Sequence, residues 1–530
     1  MRRWNGWGDE HTRAQLPASA QEILKGLIGE GTPQENCPFE QVLNQVPASR
    51  LPDHKLISKD PGERLRHARG QSLPDWIALR SGMVPVFPDA VAFPAGTDDL
   101  RTVLAFALEH EARVIPYGGG TSVAGHINPT PGDSPVLTVS LARMNSLLRL
   151  QEENLLATFG AGVAGPDLEA ALRAHGYTLG HYPQSFEYST LGGWVVTRSA
   201  GQQSLGFGRI EDMFAGGLML SPAGDLVLPP LPASSAGPDL RQMVLGSEGR
   251  MGILAEVTVR IRKLPDCEQF HALFFPDWDQ AKAAVRELSQ SRYPLSMMRL
   301  SNATETTTNL ALAGKEKTVG YLKRFLALRG VHDQGCMLLM GFSDTRRRVK
   351  RHRSGALALC KRYDGVHLFQ PLGRAWQGNR FRAPYMRNHL WNLGYAVDTV
   401  ETCVTWDRVD SAVTNLEKNL AGVLEGFGEK AYAFTHLSHF YPSGCSLYTT
   451  YMFRIAATPK ETLARWQALK ATASETILAH AGTISHQHGV GTDHRNYLEA
   501  EKSTLGIGAI QQMCQWFDPK GHMNPGKLVE

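Results

Sequence analysis

Val114-Ile115-Pro116-Tyr117-Gly118-Gly119-Gly120-Thr121-Ser122 decides the fold. A short apolar stretch of strand character runs into three consecutive glycines, and two hydroxyl side chains follow. Glycine accepts positive φ and lets another group approach the backbone closely. The N–H groups of such a run can form a concave nest for a pyrophosphate. The Gly-Lys-Ser/Thr ending of a P-loop is missing, which argues against a nucleoside triphosphate site. Val123 stands where the last glycine of G-x-G-x-x-G belongs, which disfavours a nicotinamide Rossmann site. Two more glycine-rich stretches follow: Ser189-Thr190-Leu191-Gly192-Gly193-Trp194, running on to Arg198 and Gly201, and Leu245-Gly246-Ser247-Glu248-Gly249-Arg250-Met251-Gly252. Together they read as the cradle of one large phosphate-bearing cofactor, and their order points to FAD.

The chain has 530 residues, enough for two or three domains. A net charge of +4 gives no case for a nucleic-acid partner. The seven cysteines are scattered without a C-x-x-C pair, which suits a reduced, cytoplasmic compartment. Residues 1–8 lack the apolar segment of a secretory signal. No run approaches the roughly 18 apolar residues of a spanning helix, so any membrane contact is expected to be peripheral.

Residues 1–80 are polar and proline-punctuated, with a helical pattern over Ser19 to Leu27, and read as an extension packed on the main body. Residues 81–265 form the expected cofactor domain. Within it, Val84-Pro85-Val86-Phe87 and Ala90 to Phe93 read as strands, and Thr97 to Ala112 as a helix capped by Thr97. Arg113 to Tyr117 and Leu155 to Gly162 read as strands, and Ala164 to His175 as a helix ended by Gly176. Ala255 to Arg262 alternates as a half-buried strand, with Thr258 and Arg260 on the wet face. Residues 266–445 show fresh helix–strand alternation and read as a cap. Residues 446–530 read as a tail returning to the cofactor, with a loop rich in histidine and glycine from Thr483 to Gly491.

Pro116 to Ser122, Gln184 to Thr190, Thr197 to Ala200 and Glu248 to Leu254 together resemble the vanillyl-alcohol-oxidase type of FAD flavoprotein. The resemblance implies an α+β fold: a two-subdomain, PCMH-type FAD-binding domain with an α/β cap carrying the substrate site. It implies cofactor contacts from Pro116, Tyr117, Gly118, Gly119, Gly120, Thr121, Ser122, Gln184, Ser185, Ser189, Thr190, Gly193, Thr197, Arg198, Ser199, Ala200, Glu248, Gly249, Gly252, Ile253 and Leu254. Some relatives attach the flavin to a histidine in the first loop. Thr121 occupies that place here, so the FAD is expected to be noncovalent. His126 lies nearby but off the motif and reads as an ordinary loop histidine.

Over nearly the whole length, the chain is similar to the alkyldihydroxyacetonephosphate synthase branch. The matching segments are Trp4-Asn5-Gly6-Trp7-Gly8, Gly180 to Trp194, Asp398-Thr399-Val400-Glu401-Thr402 with Thr405 to Val409, and Ser485-His486-Gln487-His488-Gly489-Val490-Gly491. The resemblance implies exchange of a fatty acyl chain for a fatty alcohol, with covalent catalysis at the flavin instead of net oxidation. It makes Tyr448 the catalytic base, with His486 and His488 as the cationic or hydrogen-bonding neighbours that a phenol of pKa near 10 needs. It makes Arg387 the phosphate-binding arginine, whose fork suits a phosphate. Arg299 is a second functional arginine of the substrate site. Read without the resemblance, these are a core tyrosine, loop histidines and surface cations.

Two features depart from the family. Its loop carries three consecutive histidines, and Gln487 replaces the middle one. The ending Met523-Asn524-Pro525-Gly526-Lys527-Leu528 looks more like the FAD-dependent 2-hydroxyacid dehydrogenases. A lactate- or glycolate-type dehydrogenase or oxidase is therefore the alternative, and a flavin-binding protein without turnover the third reading. His436 and His439, at i,i+3, read as structural histidines, and no metal site is expected. Arg346 to Arg353 reads first as a solvated helix face and second as a contact with anionic lipid. The expected partners are a small-molecule or lipid-phosphate substrate and a second copy of the chain.

Overall fold

The computed structural model describes residues 2–312, 316–368 and 370–530. The first glycine run leaves strand Arg113–Tyr117 at the edge of a four-stranded sheet, beside Val136–Ser140, Ala90–Ala92 and Ile57–Ser58. Arg113–Tyr117, Val136–Ser140 and Ala90–Ala92 are parallel, and helix Thr97–Glu109 makes the crossover that parallel neighbours need. A second, antiparallel sheet has the order Leu147–Gln151, Leu156–Gly160, Ile253–Arg260, Phe214–Ser221, Gly224–Leu228. The two sheets share one apolar core and are the two subdomains of the cofactor domain.

Four local expectations change. Val84 to Phe87 is not a strand, because Pro85 and Pro88 remove ladder donors. Gly96 occupies the N-cap position before Thr97–Glu109; the Thr97 hydroxyl donates instead to Glu256 Oε1 at 3.2 Å, and Asp99 accepts from Ala95 N. Thr258 is buried, because its hydroxyl pairs with Thr158 across the ladder at 2.8 Å. The expected cut after residue 445 falls inside a hairpin: Gly444–Arg454 pairs with both Ala431–Tyr441 and Tyr395–Thr405 in the cap sheet.

The cap sheet has seven strands, and its pairs are antiparallel. Its two faces divide the labour, because side chains alternate along a strand. Met298, Leu300, Leu437, Leu447, Tyr451 and Phe453 face an apolar core closed by helices Trp278–Gln290, Arg346–Lys361, Val409–Gly422 and Pro459–Ala479. Met297, Arg299, His436, Tyr448 and Thr450 face the cofactor domain. The extension serves both bodies. Helix Ala18–Ile28 packs on cap residues Leu390, Phe434 and Met452, while strand Ile57–Ser58 joins the first cofactor sheet. The basic run is the exposed first half of helix Arg346–Lys361, anchored by buried Val349, Ala356 and Cys360.

Candidate active site

A single cavity of about 550 Å³ runs between the cofactor domain and the cap. Its floor is the three glycine runs. A Cβ on Gly119 would collide with the Tyr188 carbonyl, so the first two runs meet at backbone contact. Thr190 caps the short helix Leu191–Val196, with its Oγ1 accepting from Gly193 N at 3.4 Å. Gln202 Oε1, Ser438 Oγ, Gln487 Oε1 and Asn524 Oδ1 line the cavity, are buried, and have no hydrogen-bond partner among the described residues. Bare glycine backbone, hydroxyls and unpartnered buried polar atoms along one groove suit FAD, and Pro116–Ser122, Ser189–Gly193 and Glu248–Leu254 are the segments that would hold it.

Two buried glutamates lock the histidine-rich loop over this floor. Glu248 accepts from Val490 N at 2.6 Å and from Gly491 N at 2.8 Å. Its carboxylate also lies 3.2 Å from His126 Nε2, while His126 Nδ1 meets Ser122 Oγ at 2.7 Å. Burial alone would push His126 down, but Glu248 outweighs it and raises the imidazole. His126 is thus a 5% exposed cavity residue and no ordinary loop histidine. From the cap side, Glu401 accepts from Ser485 Oγ (2.7 Å) and from the backbone N–H groups of His486 (2.7 Å), Gln487 (3.2 Å) and His488 (2.9 Å). Burial opposes its ionisation, yet His488 and these donors hold the carboxyl below the usual range.

Above the floor, Tyr448 sits in register between His436 and Glu401. Its ring stacks on His436 at 5.0 Å and meets His488 edge-on at 5.8 Å. Its hydroxyl donates to Thr399 Oγ1 at 3.2 Å. Burial raises the phenol above its ordinary value. The same burial lowers His436, His486 and His488, so the expected cationic histidines beside Tyr448 are neutral. Arg299 donates to Glu305 Oε1 at 2.7 Å and lies 3.3 Å from His436 Nδ1. Burial opposes the charge on Glu305, but the hydrogen bonds it accepts from His436 Nδ1 (2.9 Å) and from the Arg299 guanidinium hold its carboxyl at about 2. Arg387 donates through Nη1 to the Gln71 carbonyl at 2.8 Å, and its buried Nη2 has no partner among the described residues. Beyond Arg387 the cavity turns apolar, lined by Leu16, Leu24, Leu27, Leu390, Phe434 and Met452.

The cavity brings together Arg299, Arg387, Tyr448, His488 and, of the expected cofactor contacts, every residue except Arg198. Arg198 points away, donating to Gln242 Oε1 at 2.6 Å and to the Leu245 carbonyl at 3.2 Å. His486 does not line the cavity either. It lies behind His439, with Nε2 2.7 Å from the Tyr441 hydroxyl and 2.6 Å from Arg209 Nη1. His436 and His439 do line it. Residues three apart on a regular strand face opposite ways, but a bulge between Leu437 and Phe440 turns both inward. Among the described residues, no group of three or more His, Cys, Asp or Glu is placed to hold a metal. No helix among them is long and apolar enough to cross a membrane.

The chain is similar to an alkyldihydroxyacetonephosphate synthase of Dictyostelium discoideum, 28% identical over 99% of this chain and 93% of that one. It is 29% identical to that of Trypanosoma brucei brucei, over 99% and 92%. A solved alkyldihydroxyacetonephosphate synthase superposes with a TM-score of 0.83 at 26% identity, covering 99% of this chain and 98% of the other. Residues 88–228 match the model of an FAD binding domain. Residues 264–528, half of the chain, match the model described as FAD linked oxidases, C-terminal domain. This flavoenzyme chain therefore belongs to the FAD-linked oxidase family.

Proposed function

We propose that this protein exchanges the acyl chain of an acyl-dihydroxyacetone phosphate for a long-chain alcohol, forming an ether lipid precursor. One observation carries the reading: one cavity joins an FAD cradle, an unpartnered buried arginine and an apolar arm lined by Leu16, Leu24, Leu390, Phe434 and Met452. A phosphate head suits Arg387, because a guanidinium donates two hydrogen bonds in a fixed fork. Aliphatic chains suit the arm between Leu16 and Met452, where each buried methylene contributes about 0.8 kcal/mol. FAD, when bound, supplies the covalent chemistry that lets the acyl chain leave and the alcohol enter without net oxidation.

The protein's part is to bind, orient and move protons. Tyr448 keeps its proton at neutral pH, because burial raises its phenol, and its hydroxyl serves as the hydrogen-bond donor that steadies the leaving carboxylate. His488 is held neutral by burial and serves as the base that takes a substrate proton. Glu401 fixes that base by holding the backbone of its loop. Arg299, tied to Glu305, supports the sheet face under Tyr448. Thr121 offers no imidazole for covalent attachment, so denaturation should release free FAD.

The alternative, a small 2-hydroxyacid dehydrogenase, could use Arg387 for a carboxylate but leaves the apolar arm without a role. The deciding experiment incubates the holoenzyme with palmitoyl-dihydroxyacetone phosphate and hexadecanol. Released palmitate together with an alkyl product supports the reading. Absence of alkyl product, with turnover of lactate or glycolate, rejects it. A peripheral lipid contact belongs to the same reading, with exposed Arg346, Arg347, Lys350 and Arg351 facing anionic headgroups. Co-sedimentation with vesicles that contain or lack anionic lipid tests it.

A further inference from the structure

Among the described residues no carboxylate hydrogen-bonds Arg387; a peptide and an indole hold it. Its guanidinium carbon lies 4.4 Å from the Trp76 ring centroid, within the range of a cation–π contact. Its Nη1 donates to the Gln71 carbonyl at 2.8 Å. The same residue reaches two other ways. Gln71 N donates to the Ser122 carbonyl of the first glycine run at 2.6 Å. Gln71 Oε1 accepts from Trp76 Nε1 at 2.9 Å, which fixes the indole that Arg387 covers. One buried residue therefore links the cofactor cradle, the indole and the arginine. Gly70 permits this: a Cβ there would lie 2.7 Å from the Ser122 carbonyl and force the two segments apart.

A second guanidinium shares the indole. Arg80 lies 4.8 Å from the Trp76 ring and donates to Asn388 Oδ1, Asn392 Oδ1 and the Asn5 carbonyl, all neutral acceptors. Two arginines share one indole, and one of them, Arg387, lines the cavity with an unpartnered buried N–H. Burial disfavours the charge on both, so an anion at Arg387 would relieve a cost already present in the fold.

We propose that Gly70, Gln71 and Trp76 form a positioning element that sets Arg387 at a fixed place relative to the FAD cradle, and so determine specificity for a phosphomonoester head group. This rests on the reading of the cavity as a phosphate-ester site. The element comes from the N-terminal extension, so the substrate site is complete only with that segment docked between cofactor domain and cap.

The test measures binding of inorganic phosphate, and separately of hexadecanol, to the holoenzyme by calorimetry, with flavin content as the control for folding. Arg387→Ala is expected to weaken phosphate binding at least about tenfold. Trp76→Leu should weaken it about tenfold, and Trp76→Phe, which keeps an aromatic face, about threefold. Gly70→Ala should fall between those two. Hexadecanol binding should stay unchanged in all four. With palmitoyl-dihydroxyacetone phosphate, KM should rise while kcat changes less. If Arg387→Ala weakens phosphate binding while Trp76→Leu and Gly70→Ala bind it as the wild type does, the positioning element is overturned and the phosphate reading stands. If Arg387→Ala itself binds phosphate normally, the phosphate reading falls and this inference with it. If Trp76→Leu loses its flavin, Trp76→Phe and Gln71→Leu decide: normal phosphate binding in both overturns the element. Equal loss of phosphate and hexadecanol binding in any folded variant also overturns it, since that marks a general packing effect.

Discussion

The cofactor cradle and the cap face above it are built in opposite ways. The cradle is mostly backbone, delivered by three contiguous runs whose glycines leave room for the cofactor. The cap face is side chain, gathered from strands far apart in sequence: Arg299, Thr399, His436 and Tyr448, with Arg387 from helix Ala383–Asn392. A backbone cradle tolerates change in side-chain identity but not added volume. A side-chain face tolerates small volume changes but not loss of a donor. The loop 485–491 is where the two meet, tied to the cradle by Glu248 and to the cap by Glu401.

That contrast can be broken, and the largest effect should come from the cap face. Tyr448→Phe should cut turnover by roughly 100- to 1,000-fold while FAD content stays normal, as expected for loss of a hydrogen-bond donor at the reacting atoms. Near-normal turnover would remove Tyr448 from the chemistry. Glu401→Ala leaves several buried loop donors without an acceptor and should destabilise the holoenzyme by about 3 kcal/mol or more. Urea unfolding followed by flavin fluorescence measures this, and an unchanged midpoint would show that the loop is held elsewhere. Gly119→Ala should yield folded protein with little bound flavin, read from the ratio of visible to ultraviolet absorbance, because its Cβ would collide with the Tyr188 carbonyl.

A pH effect sharpens the cap side. Glu305 falls from 4.5 in the unfolded chain to about 2 in the fold. A depressed carboxyl contributes stability that is full above pH 4.5 and is lost as pH falls toward about 2. The contribution is about 3 kcal/mol. Unfolding free energy measured across that window should fall with acid in the wild type and fall less in Glu305→Gln. Parallel curves would show that Arg299 and His436 do not hold the charge. The smallest effect is expected at Arg198, where Ala should leave flavin content and turnover within about twofold, as for a surface substitution away from the cavity.

The same contrast explains what the sequence made legible. Contiguous glycine runs announce a cradle, and the expected cofactor residues line it save Arg198, which sits one residue beyond a lining position with its φ at +52° and its side chain turned outward. Arg387 and Tyr448 were legible only by resemblance, since nothing local marks an arginine on a short helix or a tyrosine on a strand as chemical. The inward turn of both His436 and His439 is not legible, because a bulge is invisible in an i,i+3 spacing. His486 and His488 share one motif, but only His488 faces the cavity. Glu401 lies within Asp398 to Thr402, yet its role depends on a loop more than eighty residues later. A hairpin turn and a domain boundary look alike in sequence, so nothing near residue 445 announces that the next strand stays in the cap sheet.

The most direct measurement is the flavin spectrum of the holoenzyme under anaerobic conditions. On addition of palmitoyl-dihydroxyacetone phosphate and hexadecanol, the spectrum should be perturbed and then return to the oxidised form as alkyl product accumulates. D-lactate and glycolate should leave it unchanged. Lasting bleaching by either hydroxyacid, with no perturbation by the acyl phosphate, would contradict an exchange of chains without net oxidation.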